Sequence, residues 1–161
     1  MKIIPLSEGS YTIDKSKEFV PFNKNSDNLQ ARPVGSLLVE IQPFVVETTT
    51  DIILVDCGLG FCDENGVMDI HNNLLRNHIH PDQITKVLLS HLHKDHAGGA
   101  SSYNESLQEY FLSFPKATYY INRNELHYAM EVDQSMSYQK DRLAVLKNSN
   151  QVVLLEDNGV I

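Results

Sequence analysis

Residues Val87 to Gly99 read Val-Leu-Leu-Ser-His-Leu-His-Lys-Asp-His-Ala-Gly-Gly. Three of the chain's seven histidines fall between His91 and His96, with Asp95 among them, directly after an apolar run. Imidazole and carboxylate are good ligands for zinc and similar divalent ions, which catalytic sites hold with one position left open. A cluster of this kind needs a rigid support, and the apolar run supplies one as a strand. On a strand end, residues i and i+2 point the same way. His91 and His93 are therefore expected to approach one ion together. Asp95 and His96 follow as the chain turns away, placed to serve a neighbouring ion. Gly98 and Gly99 have no Cβ, so the backbone turns tightly there and stays out of the metal cavity.

A lone histidine is more often packed or solvated than ligating. His71, His78, His80 and His127 lack such company and are expected to be ordinary helix or loop residues. Asp56 follows the apolar run Ile52 to Val55 and precedes Gly58. It either closes an Asx turn or holds a ligand histidine through a hydrogen bond. Tyr119, Tyr120 and Tyr128 are expected to pack against a sheet rather than touch substrate.

Composition then excludes classes. The 161 residues make one domain, or part of a larger one, with an ordinary globular balance of apolar and charged residues. Thirteen basic against twenty-one acidic residues leave a charge of -8, which argues against a nucleic-acid groove resting on bulk electrostatics. Bound divalent cations would cancel part of that charge. Cys57 and Cys62 are too few for a disulfide scaffold and too isolated for a zinc ribbon, so two free thiols are expected. No apolar stretch approaches membrane-spanning length, which makes a cytoplasmic protein the default, with no membrane partner.

The first third reads as short strands over Lys2 to Leu6, Tyr11 to Ile13, Gly35 to Ile41, Pro43 to Glu47 and Ile52 to Val55, together an antiparallel meander. Asp14 to Pro33 reads as a polar surface loop. Ile70 to Ile79 has helical spacing, with Asp69 as N-cap. A strand over Lys86 to Ser90 leads into the histidine cluster. Helices are predicted over Ser106 to Phe114, Arg123 to Val132 and Ser137 to Lys147, and strands over Thr118 to Asn122 and Val152 to Leu155. Strands alternating with helices imply a layered α/β fold.

Taken together, "ILVDCGLG" (Ile53 to Gly60) and "VLLSHLHKDHAGG" (Val87 to Gly99) resemble the metallo-β-lactamase superfamily. "YYINRNELHYAME" (Tyr119 to Glu131) is similar to a segment of its lactonase-like branch, and the resemblance runs from about Gly35 to Ile161. The fold it implies is half of an αββα sandwich, with a mixed, mostly antiparallel sheet and flanking helices. The resemblance assigns His91 and His93 to a first zinc and Asp95 and His96 to a second. Asp56 would brace a ligand histidine, and Asp95 would also act in catalysis by orienting the nucleophile. Zinc is the expected metal, two ions in the complete site, with iron or manganese as alternatives. A metal-bound hydroxide would then attack an ester, lactone or thioester.

The family's third motif, a Gly-His pair, normally follows a segment like Gln151 to Ile161, where this chain stops. Residues 1–161 are accordingly expected to be a single truncated domain, the N-terminal half of a hydrolase, inactive or nearly so by itself. The small-molecule substrate belongs to the complete form. An exposed half-sandwich face would favour a homodimer. The competing expectation is a catalytically inactive module with an incomplete metal site, acting through binding or dimerisation.

Overall fold

The computed structural model describes residues 1–156. Of the Gln151 to Ile161 segment, residues 157–161 lie outside the described residues. The elements in chain order are β1 (Lys2–Pro5), β2 (Gly9–Ile13), β3 (Val20–Phe22), β4 (Leu37–Ile41), β5 (Phe44–Glu47), β6 (Ile52–Val55), α1 (Asp69–Arg76), β7 (Lys86–Leu88), α2 (Lys94–Ala97), β8 (Ser101–Asn104), β9 (Glu109–Leu112), β10 (Thr118–Asn122), α3 (Arg123–Glu131), α4 (Lys140–Asn148) and β11 (Val152–Leu155).

Six strands form the main sheet in the order β1-β5-β6-β7-β10-β11. One row of side chains runs straight across it: Ile4 opposite Val45, Val45 opposite Leu54, Leu54 opposite Val87, Val87 opposite Tyr119, and Tyr119 opposite Val152. Val45, Leu54, Val87 and Tyr119 are wholly buried in this row. Each such side chain contributes roughly 1.5–3 kcal/mol of burial. Ile70 and Leu74 of α1, Leu126 and Ala129 of α3, and Leu143 and Leu146 of α4 belong to the same core. The neighbouring row, Phe44-Val55-Leu88-Tyr120-Val153, faces the other way. Its end members Phe44 and Val153 are 38% and 41% exposed.

The sheet changes character halfway. β1, β5 and β6 pair antiparallel, the last two through a turn in which the Thr48 N–H donates to the Asp51 carbonyl. β6, β7, β10 and β11 pair parallel, joined by crossovers carrying helices. The fold is mixed α/β, as expected. Antiparallel pairing dominates only when all sheets are counted, in five of the eight described pairings; inside the main sheet three of five are parallel.

Several local expectations are corrected. The first third is not one meander, because β2, β3 and β4 form a separate three-stranded sheet. The Asp14 to Pro33 stretch contains β3, whose Pro21 hid it; β3 is an edge strand, where a residue without an N–H is tolerated. Ser106 to Phe114 is not a helix but the turn and second strand of the β8–β9 hairpin. Asn104 Oδ1 accepts from the N–H groups of Ser106 and Leu107 in an Asx turn, and Gln108 sits at a left-handed φ of 54°. Met68, not Asp69, occupies the N-cap of α1, without a side-chain bond. Among the described residues no helix is long and apolar enough to cross a membrane.

Candidate metal centre

The parallel half of the sheet places the functional groups, because loops leaving the carboxyl ends of adjacent parallel strands meet there. β6 ends at Val55, and Asp56 turns the chain at a left-handed φ of 60°. β7 ends at Leu88, two residues earlier than expected, and Ser90 to His93 continue without strand pairing. His91 and His93 still flank a wholly buried Leu92, so the alternation survives the loss of the strand. The Leu92 N–H donates to Glu125 Oε1 at 2.8 Å, which fixes the segment from α3. His93 then occupies the N-cap of α2, and Asp95 and His96 lie on that short helix.

Three imidazoles gather. The His91 ring centroid lies 4.6 Å from that of His93 and 4.0 Å from that of His96. Asp56 Oδ2 lies 2.8 Å from His96 Nδ1, and Asp95 Oδ2 lies 3.4 Å from His96 Nε2. Asp56 also accepts from the Ser90 N–H and the Ser90 hydroxyl, both at 2.8 Å. The Ser90 Oγ is 3.2 Å from His91 Nδ1. Tyr138 sets its ring edge-on to His93, 4.8 Å between centroids, with its hydroxyl 3.3 Å from Glu125 Oε1.

The electrostatics follow from these contacts. Burial pulls His96 down, but the bonds to Asp56 and Asp95 and their charges outweigh it and lift the imidazole to about 9. Burial pushes Asp56 up, yet hydrogen bonds from His96 and Ser90 hold it below the usual carboxylate value. Asp95 is likewise lowered, its burial outweighed by His96. His91 is pushed down, by burial first and then by the charges of His96 and His93.

Backbone contacts lock the Asp56–Gly60 loop against α2 and the turn after it. The Cys57 N–H donates to the His96 carbonyl at 2.6 Å, and the Gly99 N–H to the Gly58 carbonyl at 3.3 Å. A Cβ on Gly98 would run into the Leu59 carbonyl, and one on Gly99 into the Cys57 carbonyl. Close approach of two backbones, rather than a tight turn, is therefore what these glycines serve. Arg142 Nη1 donates to the Gly98 carbonyl at 2.5 Å, and Glu8 Oε2 accepts from the Leu59 N–H at 2.8 Å. Burial pushes the Glu8 carboxyl up to about 7.

Glu8, Ser90, Glu125, Tyr138 and Arg142 escaped the sequence reading. Only Glu125 carried a signal: it stands three residues after the N-cap Asn122, where a capping box would turn it back on its own helix. Here it serves Leu92 instead. Of the remaining histidines, His80 caps a turn, His127 pairs with Glu131 at 3.1 Å, His71 packs edge-on against Phe114, and His78 lies in a left-handed turn. Tyr119 is buried as expected, whereas Tyr128 is 56% exposed. Cys57 is buried and Cys62 exposed, both free.

Two clefts flank Asp95. One, of about 260 Å³, is lined by Asp56, His96 and the Val39–Pro43 stretch. The other, of about 540 Å³, is lined by His93, Lys94 and residues of the small sheet and its turns. Among the described residues, no three His, Cys, Asp or Glu side chains stand as a ready-made metal cage. The donor chemistry nevertheless fits a divalent ion: the Asp56 contact occupies His96 Nδ1 and leaves Nε2 turned toward Asp95.

A sequence profile described as the metallo-beta-lactamase superfamily matches residues 40–156. No curated protein matches the chain. Among solved structures, AidC, described as a dizinc quorum-quenching lactonase in complex with a product, superposes with a TM-score of 0.68 at 19% identity, covering 99% of this chain and 59% of that one. A probable metal-dependent hydrolase from Staphylococcus aureus gives 0.67 at 19%, covering 96% and 58%. A quorum-quenching N-acyl homoserine lactone lactonase gives 0.60 at 25%, covering 96% and 57%. The chain thus spans under three fifths of the length of these structures.

Proposed function

The chain belongs to the metallo-beta-lactamase superfamily, and from that premise we propose that it carries the metal-binding side of a hydrolase acting on an ester, lactone or thioester. The observation that supports this best is the convergence of His91, His93 and His96 beside Asp95, with Asp56 behind His96. His91 and His93 would hold one divalent ion, zinc by preference, and Asp95 and His96 a second. Such ions supply a water acidic enough to be a nucleophile at neutral pH, and a Lewis acid for the carbonyl. Water would add across the scissile carbonyl, releasing an acid and an alcohol or thiol.

The chain's own residues prepare for this. Asp56 keeps the His96 Nδ1 proton, so Nε2 is the ligating atom. The Ser90 proton goes to Asp56, which leaves its oxygen to accept from His91 Nδ1 and frees the His91 Nε2 in turn. Glu125 and Tyr138 fix the His93 side from α3 and the segment before α4. Asp95 is held ionised and stands between the two clefts, placed to orient the nucleophile.

Purified chain supplemented with zinc is expected to hydrolyse a chromogenic lactone or ester only slowly, as a nearly inactive half would, and His93→Ala to lower kcat/KM by at least about a hundredfold. Absence of turnover with zinc, manganese and iron alike would overturn the reading. The lack of a ready-made cage among the described residues favours a second reading, a binding module with an incomplete site. In that reading the open row from Phe44 to Val153 is where two copies would meet. A monomer by light scattering at micromolar concentration counts against it.

A further inference from the structure

The larger cleft beside Asp95 is unusually cationic for this chain. Lys15, Lys17 and Lys94 line it, against the carboxylates of Asp14 and Asp95, in a chain with thirteen basic and twenty-one acidic residues. None of the three lysines forms an ion pair among the described residues, and neither do Lys2, Lys140 and Lys147, while Lys24 pairs with Glu40, Lys86 with Asp51 and Lys116 with Asp82. Asp95 is already engaged with His96. Asp14 is spent locally, its Oδ1 accepting from the Ser16 N–H at 2.8 Å and the Ser16 hydroxyl at 2.7 Å.

Lys94 is also placed by its contacts. The Lys94 ammonium lies 5.7 Å from the centre of the Phe19 ring, which is itself packed edge-on against Tyr11. The Lys94 N–H donates to the Ser137 carbonyl at 2.8 Å. Lys15 and Lys17 sit on a closed turn, with the Lys17 N–H bonded to the Asp14 carbonyl at 3.1 Å and Lys17 in the left-handed region at φ 58°. Phe19, Leu37 and Val39 give the same cleft an apolar wall. A cavity with a metal-ligand edge, an apolar wall and unpaired ammonium groups matches one kind of molecule.

We propose that this cleft binds an anionic group, a carboxylate or a phosphate, separated by an apolar spacer from the carbonyl presented to His93 and Asp95. The proposal deepens the hydrolase reading and rests on it for the scissile end. Lys94, Lys15 and Lys17 are then specificity-determining residues.

The test uses the full chain freed of metal, so that no ion competes for the anion. Hexyl phosphate, hexanoate and hexan-1-ol are titrated in at low salt, and backbone amides are followed in proton–nitrogen correlation spectra. Shifts centred on Phe19, Lys94 and Ser137 are expected, with at least one anion binding tenfold or more tighter than the alcohol. That margin is expected to collapse in the Lys15→Gln/Lys94→Gln double variant. The tighter of the two anions identifies the group. Equal binding of all three probes, or an unchanged margin in the double variant, overturns the proposal. Ester turnover separates the two readings. A zinc-loaded chain that turns over no ester yet keeps the anion margin removes the hydrolase reading and keeps the anion site. Turnover without any anion margin removes the anion site alone.

Discussion

The two sides of the histidine cluster are held by different means. His96 rests on backbone: its carbonyl takes the Cys57 N–H, Gly98 and Gly99 are pressed against the Asp56–Gly60 loop, and its ring is gripped at both nitrogens. His91 and His93 rest on side chains: Ser90 beside His91, Tyr138 beside His93, and Glu125 beneath the Leu92 between them. Backbone contacts depend on the absence of a Cβ and tolerate little change. Side-chain contacts can be trimmed one at a time. The His96 side is therefore the more rigidly held, and the His91/His93 side the more adjustable.

Substitutions should expose that asymmetry, most severely at the backbone crossing. Gly98→Ala drives a Cβ into the Leu59 carbonyl and should cost about 3 kcal/mol or more, read as a lower urea midpoint. If it is tolerated within experimental error, the crossing is not what fixes His96. Next comes Asp56→Asn, which removes the carboxylate charge beside His96 Nδ1; zinc affinity should fall about 10–100-fold by calorimetry. Ser90→Ala should fall short of that.

A smaller effect belongs to Glu8, half-buried behind the same loop. Its carboxyl is raised to about 7, so folding favours its protonated form. That contribution is complete below the ordinary value of 4.5 and is lost as pH rises through about 7. Glu8→Gln keeps an acceptor for the Leu59 N–H and should flatten this loss, gaining on the order of 2 kcal/mol at pH 8. The opposite slope, with the variant less stable at pH 8, would mean the charged carboxylate is the bracing form.

His96 should behave in the same direction at higher pH. With its pKa lifted to about 9 in the metal-free chain, its stabilisation is complete below 6.5 and fades as pH climbs through 9. Thermal melts of the chain and of His96→Gln across that range should converge at the alkaline end. The least effect is expected on the adjustable side, where Tyr138→Phe removes only the hydroxyl contact to Glu125, about 0.5 kcal/mol.

Much of this asymmetry was hidden from the sequence. The strands β5, β6, β10 and β11 were legible because apolar runs of that length, bounded by turn residues, have few other uses. The histidine cluster was legible because ligand types in close sequence announce themselves. What sequence could not show was contact across long separations. Glu8 reads as a turn residue, Arg142 as the polar face of a helix, and Glu125 as half of a capping box, yet all three bond to backbone in or beside the cluster. The β8–β9 hairpin failed for a local reason: Tyr110 and Leu112 alternate with Glu109 and Phe111, and so short a stretch fits either period. Lys94 reads from sequence as no more than the spacer between His93 and Asp95.

The order in which this crossing is stitched together has a consequence for how the chain is made. Glu8 lies near one end, the Asp56–Gly60 loop a third of the way along, and Arg142 near the other, and the three close on a single knot of backbone. Contacts so distant in sequence are slow to form and come late. A ribosome that has released α2 has exposed every histidine of the cluster, while Arg142 is still inside the tunnel or unborn. During that interval the imidazoles hang on an unclosed loop. The metal capture proposed for the His96 side should thus follow the closing of this knot rather than precede it.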